Sequence, residues 1–381
     1  RATCSPLCLN AAGELTGCAC SPNTSRASSP AQKDAPVSSR PTTSAHFPIA
    51  LHHSLPTSSA SSAAYHLGPD FNIADRRCKL LQHEHGKGRV RMLKVTRTPD
   101  KHSVIQLEAE VLLEGAPAAS AYYDGDNGRV LPTDSVKNTV WVLAKKHEFA
   151  SLEDFAIILA KHFVTKHPDI VSVAKVKLFE TPWERLVVPD SKGKTRSHHH
   201  AFVSASPGFS TAYVVSRKSA YGAPEVTVQG GVDGLKVLKT TQSSFVDFFR
   251  DEYTTLPDVP DRLVSTCVTA TWSYTPDVGG DFTSKAAEIK NVLLETFAGP
   301  ADVGVLSPAV QFTLYKMGEA VLERCPYVKD IKIAMPNIHN NPIDLSRFGC
   351  KNIHPHGEVF LPTDEPHGII SATMVRSASK L

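Results

Sequence analysis

The stretch YYDGDNGRVLPTDSVKNT, residues 122–139, combines a polar loop with the start of a helix. Its first half is crowded with Asp, Asn and Gly, the residues that favour turns. Thr133 and Asp134 then occupy positions typical of helix N-caps. The apolar residues behind them recur at i, i+4 and i+7, as on one face of an amphipathic helix: Val136, Val140 and Leu143. We therefore predict a loop that delivers a hydroxyl and a carboxylate to a helix start.

Such a helix start can serve either structure or binding. Its first N–H groups lack partners within the helix, and the helix dipole is positive at this end, so an anion is favoured there. Thr133 and Asp134 could equally be plain caps that satisfy those N–H groups. The stretch alone leaves both interpretations open, and the motifs further along the chain must decide between them.

Length and charge limit the classes of function. The chain has 381 residues, of which 41% are hydrophobic, which is enough for two domains or one large one. Its 41 basic and 38 acidic residues give a net charge of +3, which indicates neither a nucleic-acid nor a membrane-surface partner. Apolar runs of about 18 residues, long enough to span a membrane, are absent from the sequence, so we expect no transmembrane helix.

Residues 1–80 differ in composition from the rest. They are rich in Ser, Ala, Pro, Thr and His without an apolar period, which predicts a disordered extension or a transit-type leader. Four cysteines near its start could form a metal knuckle, although their spacing matches no strong zinc signature: Cys4, Cys8, Cys18 and Cys20. The other four are predicted to be reduced, mostly buried thiols: Cys78, Cys267, Cys325 and Cys350.

Order is predicted to begin near residue 81, with a mobile turn at residues 85–88. The strands predicted for the first half lie at residues 89–95, 104–113, 171–179, 200–205 and 211–215. The first two should form an antiparallel hairpin. Between the second and third strands lie the helix at Thr133 and another that opens with a capping box, Ser151 to Asp154.

The second half is predicted to repeat this order of strand, strand, helix, helix, strand, strand. Its strands are predicted at residues 226–228, 235–239, 263–272, 328–334, 358–361 and 369–374. Ser244 to Asp247 has the form of a capping box that opens a short helix, and a longer helix spans residues 285–297. The last helix is predicted to open with Ser307 as N-cap and Pro308 at its first position.

This order predicts an α+β fold of two tandem domains, at residues 81–220 and 221–378. Each domain would be an antiparallel sheet with helices on one face. Half-covered sheets of this kind often close with copies of themselves into a barrel, because closure removes their exposed edges. We therefore expect a barrel-like oligomer.

Four motifs resemble those of the urate oxidase (uricase) family, which has the tunnelling fold, or T-fold. They are LPTDSVKNT at 131–139, FFRDEYTTL at 248–256, Ala309-Val310-Gln311, and MPNIH at 335–339. The resemblance runs from about residue 86 onward and is specific because the four motifs occur together. It implies two tandem T-fold domains. It also implies a cofactor-independent oxidation of urate by dioxygen and water to 5-hydroxyisourate and hydrogen peroxide.

The resemblance implies which residues bind the substrate. Arg262 would bind urate, because its planar guanidinium suits two adjacent acceptors on a purine anion better than a lysine does. Phe245 would stack under the purine, and Gln311 would pair with the polar edge of urate. The backbone of Val310 would add a contact, which fits its predicted place in the first turn of a helix.

The same resemblance assigns the chemistry to Lys87, Thr133 and His339. Urate must lose a further proton before it gives electrons to dioxygen, so a base is needed. Lys87 can serve if burial and a nearby cation lower its pKa and keep its amine neutral. The Thr133 hydroxyl would relay the proton and His339 would orient or deprotonate that chain. Asp134 and Thr133 would complete the substrate pocket through the backbone of their loop, and Asn337 would lie beside oxygen or peroxide.

In the family the site lies across a subunit boundary of a homotetramer. Lys87 and Thr133 would come from one chain, and the neighbouring chain would supply the remaining residues: Phe245, Arg262, Val310, Gln311, Asn337 and His339. The family uses neither flavin nor metal, so no cofactor is expected. His198-His199-His200 could suggest a metal site, but adjacent side chains on a strand point to opposite faces, which favours a structural or solvated role.

The last three residues, Ser379-Lys380-Leu381, match a peroxisomal targeting tripeptide. They predict a peroxisomal location and an import receptor as a partner. Two other functions stay open at this point. One is a pterin or purine hydrolase on the same fold, which would need a metal or a Cys–His site; the other is a catalytically silent purine-binding protein.

Overall fold

The computed structural model describes residues 78–205, 208–352 and 357–376, which all belong to one compact unit. Its helices are α1 Ala119–Asp124, α2 Thr133–Lys146, α3 Leu152–Lys166, α4 Phe282–Ala298 and α5 Val310–Arg324. Its strands are β1 His85–Arg97, β2 His102–Glu114, β3 Val173–Thr181, β4 Trp183–Pro189, β5 Thr195–Ser204, β6 Phe209–Arg217, β7 Glu225–Lys239, β8 Val264–Tyr274, β9 Val328–Ala334, β10 Asn337–Pro342, β11 Phe360–Thr363 and β12 Ser371–Val375. The four clustered cysteines and the C-terminal tripeptide lie outside the described residues.

A long antiparallel sheet organises the described part of the chain. Its strands run in the order β1-β2-β3-β6-β7-β8-β10-β11, and β9 pairs with both β8 and β12. Strands β4 and β5 form a separate two-stranded sheet. The predicted α+β class and antiparallel pairing are confirmed. The predicted boundary at residues 220 and 221 falls in the turn between β6 and β7 and stays a prediction.

Helices cover one face of the sheet in each half, and each half has its own hydrophobic core. The core of the first half packs α2 and α3 against the sheet: Val136, Val140, Phe155, Leu159, Phe163, Leu107, Val111 and Val176. The core of the second half packs α4 and α5 against the sheet: Ile289, Leu293, Leu314, Met317, Trp272 and Ile331. Ile157 and Val228 contact both cores. Since each fully buried large apolar side chain contributes about 1.5–3 kcal/mol, these two cores dominate the stability.

The apolar stripe predicted for α2 is confirmed, because Val136, Val140 and Leu143 are buried in that helix. The helices predicted at Ser151, at residues 285–297 and after Ser307 correspond to α3, α4 and α5. The capping box of α3 is also confirmed. Ser151 accepts a hydrogen bond from the Asp154 N–H, and the Asp154 side chain accepts one from the Ser151 N–H. Among the described helices none is long and apolar enough to cross a membrane.

Residues 85–88, predicted as a mobile turn, are instead the first part of β1. Lys87 pairs with Val111 of β2, and a bulge separates Lys87 from Val90. A Cβ at Gly86 would lie 1.8 Å from the carbonyl oxygen of Val111, so only glycine permits this close approach of the two strands. The glycines on either side of Lys87 therefore indicate tight strand pairing and a bulge rather than a mobile turn.

The short helix predicted after Ser244 is absent from the described residues of this segment. Phe245 pairs in an isolated bridge with Val259, and Asp247 has a left-handed φ of 55°. A capping pattern is local, whereas this bridge joins residues far apart in sequence, and the bridge decides the conformation. The predicted strands at 226–228 and 235–239 are parts of one strand, β7, with a bulge after Val232. Strand β4 was not predicted.

The predicted burial of the cysteines was mostly wrong. Cys325 is buried, Cys267 is partly exposed, and Cys78 and Cys350 are exposed. All four are free thiols. Cys350 lies just after a short 3-10 helix, Ser346–Phe348, outside the two cores.

Candidate functional site

A short backbone segment, Ser243–Phe245, holds together the elements that carry the predicted substrate-binding residues. The Arg262 N–H donates to the carbonyl oxygen of Ser243 at 2.8 Å. The Ser244 N–H donates to the carbonyl oxygen of Ser307 at 2.9 Å. The segment therefore lies between two stretches of chain, one leading into β8 and the other leading into α5. Phe245, Arg262 and the start of α5 are brought near one another by main-chain bonds.

Arg262 carries a half-buried guanidinium with no acidic partner among the described residues. Its Nε is buried and makes no hydrogen bond there. Burial lowers the pKa of Arg262, yet a guanidinium stays protonated at neutral pH. Its nearest aromatic neighbour is Phe245, whose ring centroid lies 5.3 Å from the guanidinium carbon. Because an unpaired buried cation is costly, this arrangement is suited to an anionic guest.

A cavity of about 480 Å³ is lined by Arg262, Asn337 and His339, three of the predicted site residues. Strand β10 carries the last two, and its antiparallel register with β8 pairs Asn337 with Thr266. This pairing directs β10 back toward the start of β8, where Arg262 lies. The volume suits a small-molecule ligand. Phe245, Val310 and Gln311 do not line this cavity and lie beside it through the Ser243–Phe245 segment.

The start of α5 differs from the prediction. The N-cap is Ala309, which has no side chain that could accept a hydrogen bond, and Ser307 lies two residues before it. Ser307 Oγ instead accepts a hydrogen bond from Lys239 Nζ at 2.7 Å. Val310 is 7% exposed and contributes to the core, whereas Gln311 is exposed. The first-turn N–H groups of α5 therefore have no side-chain cap and remain available to a ligand.

The start of α2 is also uncapped, which corrects the prediction for Thr133 and Asp134. Pro132 is the N-cap and makes no side-chain cap bond, so Thr133 is the first helical residue. Asp134 accepts hydrogen bonds from Lys137 at 2.5 Å and from Asn138 at 2.9 Å. The hydrogen bond and charge of Lys137 lower the pKa of Asp134, with smaller contributions from Asn138 and from the charge of Lys87.

Lys87 and Thr133 belong to a region of the fold that is separate from the cavity. A hydrogen bond of 3.1 Å between His85 Nε2 and the carbonyl oxygen of Leu131 ties the start of β1 to the loop before α2. The β1 strand is five strand positions from β8 in the sheet order, which is about 24 Å at the usual strand spacing. The predicted site residues thus form two groups within one chain.

Two polar groups near the cavity were missed by the sequence reasoning. Asn340 lines the cavity, and its Nδ2 is buried without a hydrogen-bond partner in the described chain. Lys239 Nζ donates to the carbonyl oxygen of Val305 at 2.9 Å and thereby anchors the segment that leads into α5. Asn340 directly follows His339, and this position could have identified it as a candidate site residue. Nothing near Lys239 in the sequence indicates that its side chain contacts the segment before α5.

The three consecutive histidines lie on β5. The rings of His198 and His200 are 4.6 Å apart, and the His200 ring is 5.9 Å from that of His102. Arg185 donates to the carbonyl oxygens of His198 and His199. Over the described ranges, no group of three or more His, Cys, Asp or Glu side chains is arranged to hold a metal ion.

The chain is similar to known proteins in both sequence and structure. The sequence model of the Uricase family matches residues 83–215 and 228–371. The chain is 40% identical over 309 residues to Uricase-2 of Phaseolus vulgaris, covering 79% of this chain and 96% of that protein. It is 36% identical to the uricase of Drosophila melanogaster, covering 86% and 96% of the two chains. The crystal structure of uricase from Arthrobacter globiformis superposes with a TM-score of 0.70 at 36% identity, covering 80% of this chain and 98% of that one. The chain therefore belongs to the uricase family.

Proposed function

We propose that this chain is a urate oxidase that converts urate, dioxygen and water to 5-hydroxyisourate and hydrogen peroxide. Urate loses two electrons to dioxygen, which leaves as peroxide, and water supplies the new hydroxyl oxygen. The observation that carries this proposal is the unpaired guanidinium of Arg262 at the cavity that also holds Asn337 and His339. A planar cation with two parallel donors is matched to the adjacent acceptors of a purine anion.

The groups around Arg262 complete the recognition of a flat, polar anion. Phe245 offers a ring face for stacking, and the exposed Gln311 offers an amide for the polar edge of the purine. The open N–H groups at Val310 favour negative charge, since no side chain caps them. Asn337 is the amide that would lie beside dioxygen. This set binds the substrate but contains no strong base apart from His339.

The base and its relay come from the other group. In this proposal Lys87 accepts a proton from urate, and the Thr133 hydroxyl passes protons between Lys87 and water. His339 orients that chain from the substrate side. The urate anion is itself the reductant, so the electrons need no flavin or metal. Asp134, held by Lys137 and Asn138 within α2, completes the pocket at the start of that helix.

The two groups meet only if two chains contribute to one site. Lys87 lies on the edge strand β1, whereas Arg262 lies just before β8, the strand five positions away from β1 in the sheet. An exposed sheet edge is a natural place for pairing with another copy, and closed oligomers remove such edges. We therefore place Lys87 and Thr133 of one subunit against the cavity of its neighbour, in a homotetramer.

Mixed oligomers test both the activity and the shared site. We expect Lys87→Met and Arg262→Gln to abolish urate oxidation when each variant is assembled alone. Equal amounts of the two, unfolded and refolded together, should regain about one quarter of the wild-type activity, because random assembly leaves about that share of sites with both native residues. Loss of urate absorbance and release of peroxide would be followed together, with and without a chelator. No recovery in verified mixed tetramers would contradict the shared site.

The peroxisomal location is part of this proposal, because peroxide is a product and the tripeptide Ser379-Lys380-Leu381 is an address for import. The tripeptide lies outside the described residues. A fluorescent tag at the N-terminus of the full chain should enter peroxisomes, provided that Leu381 is the free C-terminus. Deletion of Leu381 should leave the tagged protein in the cytosol, and unchanged import would contradict the assignment.

A further inference from the structure

A stack of two aromatic rings between two guanidiniums extends from Arg262 into the loop at residues 245–259. The Phe245 and Phe248 rings are stacked at 4.7 Å with 10° between their planes. The guanidinium carbon of Arg250 lies 4.3 Å from the Phe248 centroid, and that of Arg262 lies 5.3 Å from the Phe245 centroid. Four side chains thus run in the order Arg262, Phe245, Phe248, Arg250.

Arg250 is fixed by the two ends of its own loop. It donates to the carbonyl oxygen of Leu256 at 2.7 Å and pairs with Asp258 at 3.0 Å. Asp258 also accepts a hydrogen bond from the Asp247 N–H at 3.1 Å. At the neck of the loop, Phe245 and Val259 exchange two backbone bonds of 2.8 and 3.0 Å. The loop is therefore closed, and Arg250 holds Phe248 against Phe245 from within it.

Phe248 lies parallel to one face of Phe245, so that face is closed to a flat substrate. The guanidinium carbon of Arg262 lies 5.3 Å from the Phe245 centroid, so a purine stacked on the other face would lie against Arg262 as well. Two hydrogen bonds with Val259 fix the backbone of Phe245, whereas the tilt of its ring about the side-chain bonds is set by the groups that pack against it. A tilt would move a stacked purine out of the plane in which Arg262 reaches its acceptors.

We propose that Phe248 and Arg250 are positioning residues that set the plane of Phe245 for the bound purine. The inference rests on the proposed function, in which Phe245 stacks with urate. Neither residue touches the substrate. Their loss should weaken binding in the ground state and the transition state alike, which raises KM and leaves kcat nearly unchanged.

Three variants test the stack. Phe248→Ala removes the supporting ring and should raise KM for urate about tenfold with kcat within about twofold. Phe248→Tyr keeps the ring and should restore the wild-type KM. Arg250→Lys keeps the charge but loses the planar guanidinium, and should raise KM about threefold. Xanthine, a flat purine used as a non-reacting probe, should lose affinity by the same factors in calorimetry.

Phe249→Ala is the matched control, because Phe249 lies in the same loop, is 89% exposed and has no ring partner among the described residues. It should leave KM and xanthine affinity unchanged. If it raised KM as much as Phe248→Ala, the loop rather than the stack would set affinity, and the inference would be wrong.

If Phe248→Ala does not fold, Phe248→Tyr and Arg250→Lys still test the inference. An unchanged KM in Phe248→Ala with normal urate turnover by the wild type would overturn this inference alone. A wild type without urate turnover would overturn the proposed function instead.

Discussion

The starts of α3 and α5, the last helices of the two halves, are built in opposite ways. At α3, Ser151 and Asp154 satisfy each other's backbone N–H groups through a closed capping box. At α5, the N-cap is Ala309, and no side chain accepts from the first turn. Both helices are of equal length and pack one face into a core. The difference therefore concerns only what the first N–H groups bind.

This difference shows that a helix start can support the fold or bind a ligand, but the same N–H groups cannot do both at once. The open start at α5 forgoes about 1 kcal/mol of capping and keeps its donors for an anion. The start of α2, which carries Thr133 and Asp134, is open in the same way. The candidate site residues on helices thus lie at two uncapped starts, those of α2 and α5, whereas α3 and α4 have side-chain caps. The short helix α1 also lacks a side-chain cap but carries no candidate site residue.

The capped start of α3 has a second feature, the buried carboxyl of Glu153. Glu153 is 5% exposed, and the Tyr274 hydroxyl of the second half donates to it at 3.2 Å. Burial raises the pKa of Glu153 to about 7, although hydrogen bonds from its own N–H and from Tyr274 oppose the shift. Gly230 leaves the room for this contact, since a Cβ there would lie 2.7 Å from Glu153 Oε1.

The largest effect predicted from the comparison is on the pH dependence of stability at α3. Glu153 has an ordinary pKa of 4.5 in the unfolded chain and about 7 in the folded one. The unfolded chain therefore releases this proton first, and stability falls as pH rises from 4.5 to 7 and then levels off. The wild type should lose about 3 kcal/mol of its free energy of unfolding over this range, at roughly 1.4 kcal/mol per pKa unit. Glu153→Gln cannot ionise, so it should not show this loss.

Urea unfolding at pH 4.5 and at pH 8 would measure this effect. From pH 4.5 to pH 8, the free energy of unfolding of Glu153→Gln should rise relative to that of the wild type. Glu148→Gln, at a side chain that is 78% exposed, is the matched control and should follow the wild type. A constant difference between Glu153→Gln and the wild type at both pH values would show that folding does not raise the pKa of Glu153.

A cap installed at α5 should have the next largest effect. Ala309→Asp places a carboxylate where it can accept from the open N–H groups, so the helix should gain about 1 kcal/mol. The same carboxylate competes with urate for those donors and repels its charge, so KM should rise about tenfold, or about 1.4 kcal/mol in affinity. Ala309→Ser adds the acceptor without the charge and should raise KM by a smaller factor.

Thermal unfolding and steady-state kinetics on the same samples would separate the two effects of capping. The comparison requires stability and KM to rise together in Ala309→Asp. A variant that becomes more stable while its KM stays at the wild-type value would show that the N–H groups at Val310 do not bind the substrate.

Much of this fold could be predicted from the sequence, because periodic apolar patterns report which face of an element is buried. The apolar stripe of α2 was read correctly from residues such as Val136, and the strands predicted at residues 104–113 and 263–272 coincide closely with β2 and β8. The capping box of α3 was also read correctly, since the pattern is specified within four residues. Local rules work where local contacts decide the conformation.

The errors arose where distant contacts decide. Ser244 has a capping pattern, but the bridge from Phe245 to Val259 replaces the helix. Lys87 looked like a turn residue because glycines flank it, whereas Gly86 is required by the backbone of β2. The residues of the candidate site could be predicted only from the family motifs. Their separation into two groups depends on the sheet order, which no local pattern contains.

The smallest effect is expected from removing the cap that α3 already has. Ser151→Ala deletes the acceptor for the Asp154 N–H, so the free energy of unfolding should fall by about 1 kcal/mol. KM and kcat should stay at wild-type values, because this helix start binds protein groups and no substrate. Urea unfolding and urate kinetics on Ser151→Ala would test both expectations. Ser151→Thr keeps the acceptor and serves as the control. A clear rise in KM for Ser151→Ala would mean that the start of α3 also supports the site, and the contrast between capped and open helix starts would no longer hold.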